Sequence, residues 1–359
     1  TCRRWKHDPI IVVVYIPTHQ NEIQGLVEAQ EPIIEECSNV QIIHYHHDHY
    51  YDAVSLSSTS TSTNSSFSTN KQQQQASYPV NRLRNVGLDH VTTSHVLMID
   101  VDFVPSQDLD RTIHDALLVM KDHNSDNNNT NDNNALIVPA FERQPPPDCT
   151  TDAKCAEYLQ RNSSFLPHSF EDLQHCVLED QDCIVFQSQN NWDGHSTTNS
   201  KDWIQKKWYE DENDEDDNNG HRGRSLFRKV PCFHTSRYEP YVVLEWCPSS
   251  SNNNNNNNKI LPVAPYYDER FYGYGKNKIS LISHLRKSAY KFRILPEGFI
   301  VHNPHPESLT KQTWNDREHH SLHGEMDALY QMFVKELDVM YDSVRDKIVP
   351  LCKRPQRQL

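Results

Sequence analysis

The stretch HVLMIDVDFVPS, residues 95–106, decides both the predicted fold and the predicted site. Its apolar run Val96–Ile99 indicates a buried strand, which leads directly into Asp100 and Asp102. Burying carboxylates is costly unless a cation compensates their charge. Side chains two residues apart on an extended segment point to the same side, so both acids can face one ion. Capping of a helix that begins near Asp108 would explain one acid but not two.

Buried strands alternate with helices on both sides of this stretch. IIVVVYI at Ile10–Ile16 is a continuous β-branched run, typical of a strand buried on both faces. The alternation predicts a Rossmann-like α/β fold with a mostly parallel sheet and flanking helices. The other predicted strands are Gln41–His46, Val96–Ile99, Ala135–Ala140, Tyr241–Trp246 and Phe299–His302, and the predicted helices are Asn21–Glu36, Pro79–Val91, Asp108–Met120, Tyr274–Leu285 and Met326–Tyr341.

The composition indicates that part of the chain is not packed into a core. Hydrophobic residues make up 36% of the 359 residues, and the mean hydropathy is -0.80. Ordinary globular chains are roughly 45–50% apolar. Tracts rich in Ser, Asn, Gln and Asp bury almost nothing and stay solvated. We therefore predict one domain at 1–345 and a tail at 346–359, with low-complexity insertions at about 55–77, 121–134, 144–183, 211–220 and 249–258.

The charge balance disfavours a nucleic-acid partner. The net charge is -14, and the acidic run Glu210–Asp217 contributes much of it. Phosphate backbones require a basic stripe, which the sequence lacks. The chain also has no run of about 20 apolar residues, so we expect any membrane anchor to lie upstream of Thr1.

The nine cysteines contain no CxxC pair, which makes a zinc ribbon an unfavourable interpretation. Four of them fall in one loop-like stretch and suit local disulfides in an oxidising compartment, although the odd total leaves at least one thiol unpaired. These four are Cys149, Cys155, Cys176 and Cys183.

Two functions compete for the acidic pair. In the first, the carboxylates hold Mn²⁺ or Mg²⁺ against the diphosphate of a nucleotide sugar. In the second, Asp100 is the nucleophile of a haloacid-dehalogenase-type phosphatase. Such a phosphatase normally opens its domain with this motif and needs a later acidic pair. Here two strands precede the motif, and the later pair Asp216–Asp217 lies inside the acidic run, so the sequence favours the nucleotide sugar.

Six sequence motifs along the chain point to one family. The motifs occur one after another along the chain, and together they closely resemble glycosyltransferase family 49, which includes the LARGE-like glucuronyltransferases. The resemblance runs from about Ile10 to Trp314. The motifs are YPVNRLRNVGLDHVTTSHVLMIDVDFVPS (Tyr78–Ser106), VPAFE (Val138–Glu142), GHSTTNSKDW (Gly194–Trp203), YEPYVV (Tyr238–Val243), YDERFYGYGKNKIS (Tyr267–Ser280) and LPEGFIVHNPH (Leu295–His305).

The resemblance implies a GT-A fold and an inverting sugar transfer from a UDP-sugar to a glycan acceptor, with Mn²⁺ as the cofactor. It favours glucuronic acid as the donor sugar. It also implies residence in the Golgi lumen as a type II membrane protein. A non-catalytic glycan-binding relative stays open as an alternative, although such a protein has no need of a clamp for metal and diphosphate.

The resemblance assigns Asp100, Asp102 and His302 to the metal. His302 directly follows the predicted strand, which is why we prefer it to His305, which lies three residues on past a proline. Carboxylates together with imidazole suit Mn²⁺ better than Ca²⁺.

The remaining roles concern the substrates. Arg84, Asn85, Asp100, Asn277 and Lys278 are expected to contact the nucleotide, the diphosphate or the sugar. An inverting transfer needs a carboxylate that accepts the proton of the acceptor hydroxyl. The candidates for this base, in order of preference, are Asp268, Glu269 and Glu142.

The GHSTTNSKDW motif is the candidate wall of the acceptor groove, because aromatic faces are good platforms for sugars. The residues concerned are Trp192, His195, Asn199 and Trp203.

Overall fold

The computed structural model describes residues 4–16, 37–46, 78–126, 133–144, 166–206, 227–247, 263–303, 305, 309–316 and 320–353. Within these ranges the strands are β1 (Ile10–Ile16), β2 (Val40–His46), β3 (His95–Leu97), β4 (Phe103–Pro105), β5 (Asn134–Val138), β6 (Ala140–Arg143), β7 (Cys183–Val185), β8 (Arg228–Lys229), β9 (Tyr241–Glu245), β10 (Lys291–Ile294) and β11 (Ile300–His302). The helices are α1 (Val80–Asp89), α2 (Leu109–Asp126), α3 (Phe170–Gln174), α4 (Trp192–His195), α5 (Ser200–Ile204), α6 (Asn277–Lys287), α7 (Leu309–Asn315) and α8 (His320–Met340).

The described strands form three sheets, in the orders β1-β2, β3-β9-β5-β10-β8 and β4-β11-β6-β7. The α/β class is confirmed. The prediction of a mostly parallel sheet is wrong for the described strands. Among these strands, only β1–β2, β5–β10 and β6–β11 pair in parallel. Strand β9 inserts antiparallel between β3 and β5, and β8–β10, β4–β11 and β6–β7 are also antiparallel. Hydrophobicity along one strand carries no information about the direction of its neighbour.

The core lies around the five-stranded sheet. Strand β5 is almost completely buried, since Ala135 and Ile137 have no exposed surface, and β9 packs beside it. Leu285 of α6 is also fully buried. In contrast, the side chains from Ile10 to Tyr15 of β1 are only partly buried, so the predicted burial of that strand on both faces is not met.

Two predicted insertions are partly ordered. Helix α2 continues to Asp126, and β5 begins at Asn134, so the break at 121–134 is shorter than predicted. The second half of the segment 144–183 packs into the core, where Phe170 and Leu173 of α3 are buried. A capping box at Ser169 starts this helix, with the hydroxyl accepting from the backbone of Asp172.

The predicted tail at 346–359 is fixed to the domain as far as Lys353. Phe233 pairs with Leu351, and Val349 is 7% exposed. A disulfide joins Cys232 to Cys352, and a second disulfide joins Cys176 to Cys183 within the predicted cysteine-rich stretch.

Several predictions concern residues outside the described ranges. They are the helix Asn21–Glu36, the insertions 55–77, 211–220 and 249–258, and the cysteines Cys149 and Cys155. Among the described helices, none combines the length and the apolar character that a membrane span requires.

Candidate functional site

Sheet register brings Asp102 to the end of β11. In the four-stranded sheet, His302 is the antiparallel partner of Phe103, the residue after Asp102. The Nε2 atoms of His302 and His305 lie 3.0 Å and 2.8 Å from Oδ2 of Asp102. One potential ligand atom from each of these three residues falls within 4.8 Å of the other two. We call Asp102, His302 and His305 the metal cluster.

The metal cluster fits a divalent cation. Oδ1 of Asp102 and Nδ1 of His302 are buried and have no hydrogen-bond partner among the described residues. Leaving a buried polar atom without a partner costs roughly 1–3 kcal/mol, so a cation bound by Oδ1 of Asp102 would relieve a real penalty. One carboxylate and two imidazoles are also a donor set that suits Mn²⁺ and similar metals.

The charge state of Asp102 agrees with a role as a metal ligand. Burial alone would raise the pKa of Asp102, but the hydrogen bond and the charge of His302 outweigh burial, and the pKa lies below its usual range. The carboxylate is therefore ionised at neutral pH and available as a ligand.

Asp100 takes a different place from Asp102. Arg84 Nη2 donates to Oδ1 at 3.0 Å, while Tyr241 OH and Lys278 Nζ donate to Oδ2 at 2.7 Å and 3.0 Å. Burial would raise the pKa of Asp100, but Lys278 and Arg84 outweigh it and hold the pKa far below its usual range. Both oxygens of Asp100 thus accept hydrogen bonds from the protein, and the group of potential metal ligands among the described residues contains Asp102 without Asp100.

Two cations flank Asp100. Lys278 lies in the first turn of α6, with Nζ 4.3 Å from the centre of the Tyr241 ring. Arg84 lies on α1, 5.1 Å above the ring of Tyr267. Because one carboxylate neutralises only one of two cations, the group keeps a net positive charge. Such a charge can balance a phosphate of a bound nucleotide.

Asn85 and Asn277 are used by the protein itself. The amide of Asn85 donates to the Tyr267 carbonyl at 2.9 Å and accepts from the Tyr267 backbone N–H at 2.9 Å. Asn277 donates to the Gly273 carbonyl at 2.9 Å. Both side chains therefore position the loop that carries the YDERFYGYG motif, and the predicted ligand contact of Asn85 has no support from this geometry.

Two of the three candidate bases are in ion pairs. Arg270 binds both oxygens of Asp268, at 3.0 Å and 2.6 Å, and Arg82 lies 3.1 Å from Glu269. Both carboxylates are therefore already engaged by cations of the protein itself.

Glu142 is the third candidate base, and it lies beside the metal cluster. On the parallel strands β6 and β11, Glu142 is the register partner of His302. Burial raises the pKa of Glu142. A carboxylate with a raised pKa is a better proton acceptor, so the geometry favours Glu142 over Asp268 and Glu269.

The predicted acceptor wall divides into core and surface. Trp203 is 1% exposed and donates from Nε1 to the Leu295 carbonyl at 2.8 Å, so it belongs to the core. His195 is also buried, and burial lowers its pKa to about 3. Asn199 adopts the left-handed conformation with φ 50° and bonds to Asp202. Only Trp192 of this set is strongly exposed, at 53%.

Tyr241 and Glu239 carry no predicted role, although both lie in YEPYVV. Tyr241 joins Lys278 to Asp100 through its hydroxyl. Burial and the neighbouring Asp100 raise the pKa of Tyr241 strongly, so the hydroxyl stays protonated and donates. The signal in the sequence was a pair of polar groups leading into the apolar strand β9.

Comparison with known proteins identifies the family of this chain. The model of a family described as glycosyl-transferase for dystroglycan, glycosyltransferase family 49, matches residues 1–342. The human xylosyl- and glucuronyltransferase LARGE2 is 27% identical over 280 residues, which cover 78% of this chain and 30% of the relative. The glycosyltransferase-like protein LARGE of Caenorhabditis elegans is 26% identical over 245 residues, covering 68% of this chain and 29% of the relative.

A third relative is the mouse xylosyl- and glucuronyltransferase LARGE1, 27% identical over 232 residues, which cover 65% of this chain and 23% of the relative. The chain thus matches less than a third of the length of each of these proteins. The match of the family model, in contrast, extends over nearly the whole chain. This chain belongs to glycosyltransferase family 49.

Proposed function

We propose that this chain transfers a sugar, with glucuronic acid favoured, from a UDP-sugar to a glycan acceptor in a metal-dependent, inverting reaction on a GT-A fold. The observation that carries the proposal is the metal cluster next to two cations. Asp102 binds His302 and His305 at one side of the motif, and Asp100 binds Arg84 and Lys278 at the other. A divalent cation needs carboxylate and imidazole ligands, and a diphosphate needs nearby cations. The two sets of residues lie side by side here.

Asp102, His302 and His305 would hold the cation, with Mn²⁺ favoured. When bound, the cation supplies a positive charge that stabilises the diphosphate as it leaves. Asp102 directly precedes β4, His302 ends β11, and His305 follows that strand, so the register of β4 on β11 sets the spacing of Asp102 and His302. Rigid placement of ligands reduces the reorganisation that binding requires.

Lys278 and Arg84 would orient the donor. Their guanidinium and ammonium groups are fixed by Asp100, and Tyr241 holds Lys278 at 2.8 Å. In this arrangement Asp100 serves as a positioning residue whose carboxylate keeps both cations beside the metal cluster. Groups that are oriented before the substrate arrives lose little entropy when it binds.

Glu142 would accept the proton of the acceptor hydroxyl. It neighbours His302 across β6 and β11, and its partial burial makes the carboxylate a stronger base. The displacement breaks the bond between the anomeric carbon and the diphosphate while the acceptor oxygen forms the new bond. The acceptor proton passes to Glu142, and the net products are UDP and the extended glycan.

The two alternative functions have less support. A phosphatase would need Asp100 as a free nucleophile, but Arg84, Tyr241 and Lys278 engage both of its oxygens. A purely glycan-binding protein would leave the unpartnered atoms of the metal cluster without a purpose.

The disulfides support a place in the secretory pathway. Pairs such as Cys232–Cys352 persist in oxidising compartments and are rare in the cytosol. The Golgi lumen is the compartment that the family resemblance favours.

The test is UDP release from a panel of UDP-sugars with Mn²⁺, with EDTA, and in the variant Asp102→Asn, using xylosides as acceptors. Asp115→Asn is the control, because Asp115 is an exposed acid on α2. We expect turnover of UDP-glucuronic acid that EDTA and Asp102→Asn abolish and that Asp115→Asn leaves unchanged. Turnover of a different donor would refute the sugar assignment alone. Absence of turnover with every donor, in a folded protein that still binds glycan, would refute the enzymatic proposal.

A further inference from the structure

The imidazole of His302 lies against two phenylalanine rings. The ring centres of Phe103 and Phe186 are each 5.3 Å from the centre of the His302 ring, at interplanar angles of 55° and 51°. The two phenylalanine rings also contact each other, with centres 4.9 Å apart. Phe103 and Phe186 are 1% and 4% exposed, so they form a buried apolar wall beside this member of the metal cluster.

The two phenylalanines reach His302 from different elements. Phe103 begins β4 and is the register partner of His302 on β11. Phe186 directly follows β7, and its backbone N–H donates to the carbonyl of Ala140 on β6 at 3.1 Å. The sheet order β4-β11-β6-β7 brings these elements together. A change at Phe103 would also disturb its neighbour Asp102, whereas Phe186 lies on neither of the strands that position Asp102 and His302.

Hydrogen bonding alone does not orient the His302 ring toward a cation. Nε2 lies 3.0 Å from Oδ2 of Asp102, and a cation bound by Nε2 would take the place of that hydrogen bond. The second nitrogen of a metal-bound imidazole usually donates to a carboxylate or a carbonyl, and this contact sets the orientation of the ring. Nδ1 of His302 is buried and has no such partner in the part of the chain that the structure describes.

Packing against the phenylalanine rings can replace the missing hydrogen bond. The torsion that rotates an imidazole about its bond to Cβ has broad minima, so the side chain itself does not fix the plane of the ring. Buried rings are closely packed, and rotation of the His302 ring would push its edge into Phe186 or open a gap beside it. A ligand atom displaced by about 1 Å is enough to weaken a metal site.

We propose that Phe186 is the positioning residue of His302. Its ring holds the imidazole with Nε2 toward Asp102 and thereby sets the affinity of the metal cluster for a divalent cation. The inference rests on the proposed function, because it takes the cluster to be a metal site. Phe186 acts through His302 and does not bind the cation. The side chain of His305 is 45% exposed, so packing restrains that ring much less.

The test measures the binding of Mn²⁺ without substrates, from the electron paramagnetic resonance signal of the unbound ion. Phe186→Leu keeps an apolar side chain at this position but removes the flat ring. Phe292→Leu is the matched control, because Phe292 is 1% exposed and packs on Phe233 in the core around the five-stranded sheet, with ring centres 4.9 Å apart. We expect the Kd for Mn²⁺ to rise about 10-fold or more in Phe186→Leu and to stay within about twofold in Phe292→Leu.

A second variant and a double-mutant cycle separate positioning from general loosening of the site. Phe186→Met fills the same space with a flexible side chain and should raise the Kd in the same way. In the His302→Ala background, Phe186→Leu should change the Kd by less than about twofold, because the ring that it orients is absent. In the His305→Ala background, Phe186→Leu should still raise the Kd about 10-fold.

Three results would overturn this role of Phe186. The first is an unchanged Kd in both Phe186→Leu and Phe186→Met. The second is an equal rise in Phe292→Leu, which would attribute the effect to lost stability. The third is a full 10-fold effect of Phe186→Leu in the His302→Ala background.

The proposed function can fail separately. A wild-type protein that binds Mn²⁺ but turns over no donor would refute the enzymatic proposal, and a raised Kd in Phe186→Leu would then still support the role of Phe186. A protein that turns over donor with an unchanged Kd in Phe186→Leu and Phe186→Met would refute the role of Phe186 alone. Absence of Mn²⁺ binding by wild type would refute both.

Discussion

Nζ of Lys278 lies 3.0 Å from Oδ2 of Asp100, although 178 residues separate the two in the chain. Tyr241 closes the group, because its hydroxyl donates to Asp100 at 2.7 Å and accepts from Lys278 at 2.8 Å. The ammonium group of Lys278 thus has two oxygen partners, and one of them belongs to Asp100, the first acid of the pair. Asp102, the second acid, has two histidine partners. Two acids that are only two residues apart in the sequence therefore have different partners, and their substitutions should have different effects.

Replacing Lys278 with Met should reduce kcat/KM for the donor about 100-fold or more, because a cation beside the diphosphate is lost. It should also lower the free energy of unfolding by roughly 1–3 kcal/mol, because Asp100 and Tyr241 lose a charged hydrogen-bond partner. Donor kinetics and urea unfolding measure the two effects. Lys335→Met, at an exposed position on α8, is the control and should change neither quantity.

Substituting the metal cluster should abolish stabilisation by Mn²⁺. A ligand at 100 times its Kd stabilises the native state by about 2.7 kcal/mol, so wild type should show a higher Tm when Mn²⁺ is added. Asp102→Asn and His302→Ala should lose that increase. His175→Ala, which removes an exposed histidine elsewhere, should keep it. An equal Mn²⁺ response in all four proteins would rule out this cluster as the metal site.

Replacing Glu142 with Gln should lower kcat by a factor of about 10²–10⁴, the range typical of general base catalysis. The substitution keeps the size of the side chain, and therefore the acceptor KM should change little. Asp268→Asn is the comparison, since Asp268 is paired with Arg270. A larger loss of kcat in Asp268→Asn than in Glu142→Gln would reverse the assignment of the base.

His195 should make the folded state sensitive to acid. Its pKa is lowered to about 3 by burial, so the folded protein keeps it neutral while the unfolded chain takes up a proton below about pH 6.5. Stability is therefore fully present above that pH and is lost as the pH falls. Between pH 7 and pH 5 this one residue should cost about 2 kcal/mol.

Urea unfolding of wild type and His195→Phe at both pH values measures this effect. Phe keeps an aromatic ring against Phe186, and it cannot titrate. The loss of stability between pH 7 and pH 5 should be smaller in the variant by about 2 kcal/mol. Equal losses in the two proteins would show that His195 is protonated without unfolding.

The two described disulfides should differ in their contribution to stability. Cys232–Cys352 closes a loop with a sequence separation of 120, and Cys176–Cys183 closes one of 7. Loop entropy predicts a loss of about 5 kcal/mol for replacing the first pair with Ser and about 2 kcal/mol for the second. Chemical unfolding of the two double variants provides the comparison. Equal losses would show that strain or residual structure dominates over loop length.

Much of the fold could be predicted from local pattern. The run IIVVVYI at β1, the strand before Asp100 and the helix before it all lie within a few residues of their predicted positions, because β-branched runs and helical periodicity act over short distances. The direction of β9 between β3 and β5 could not be predicted this way, since strand pairing depends on residues far apart in the chain. The sequence did not predict that residues 166–183 are ordered, for the same reason. Phe170 is buried by contacts with residues distant in the chain, such as Trp203.

The sequence by itself determined the residue types of the site and the family. The motifs at Tyr78–Ser106, Leu295–His305 and elsewhere are local strings that can be compared directly. Only the tertiary structure decided which acid meets which partner. In the folded chain Asp102 contacts His302 and His305, Asp100 contacts Lys278, and Asp268 contacts Arg270. The physical reason is that electrostatic and hydrogen-bond energies depend on distances of about 3 Å between side chains, and the sheet register that sets those distances is a property of the folded chain.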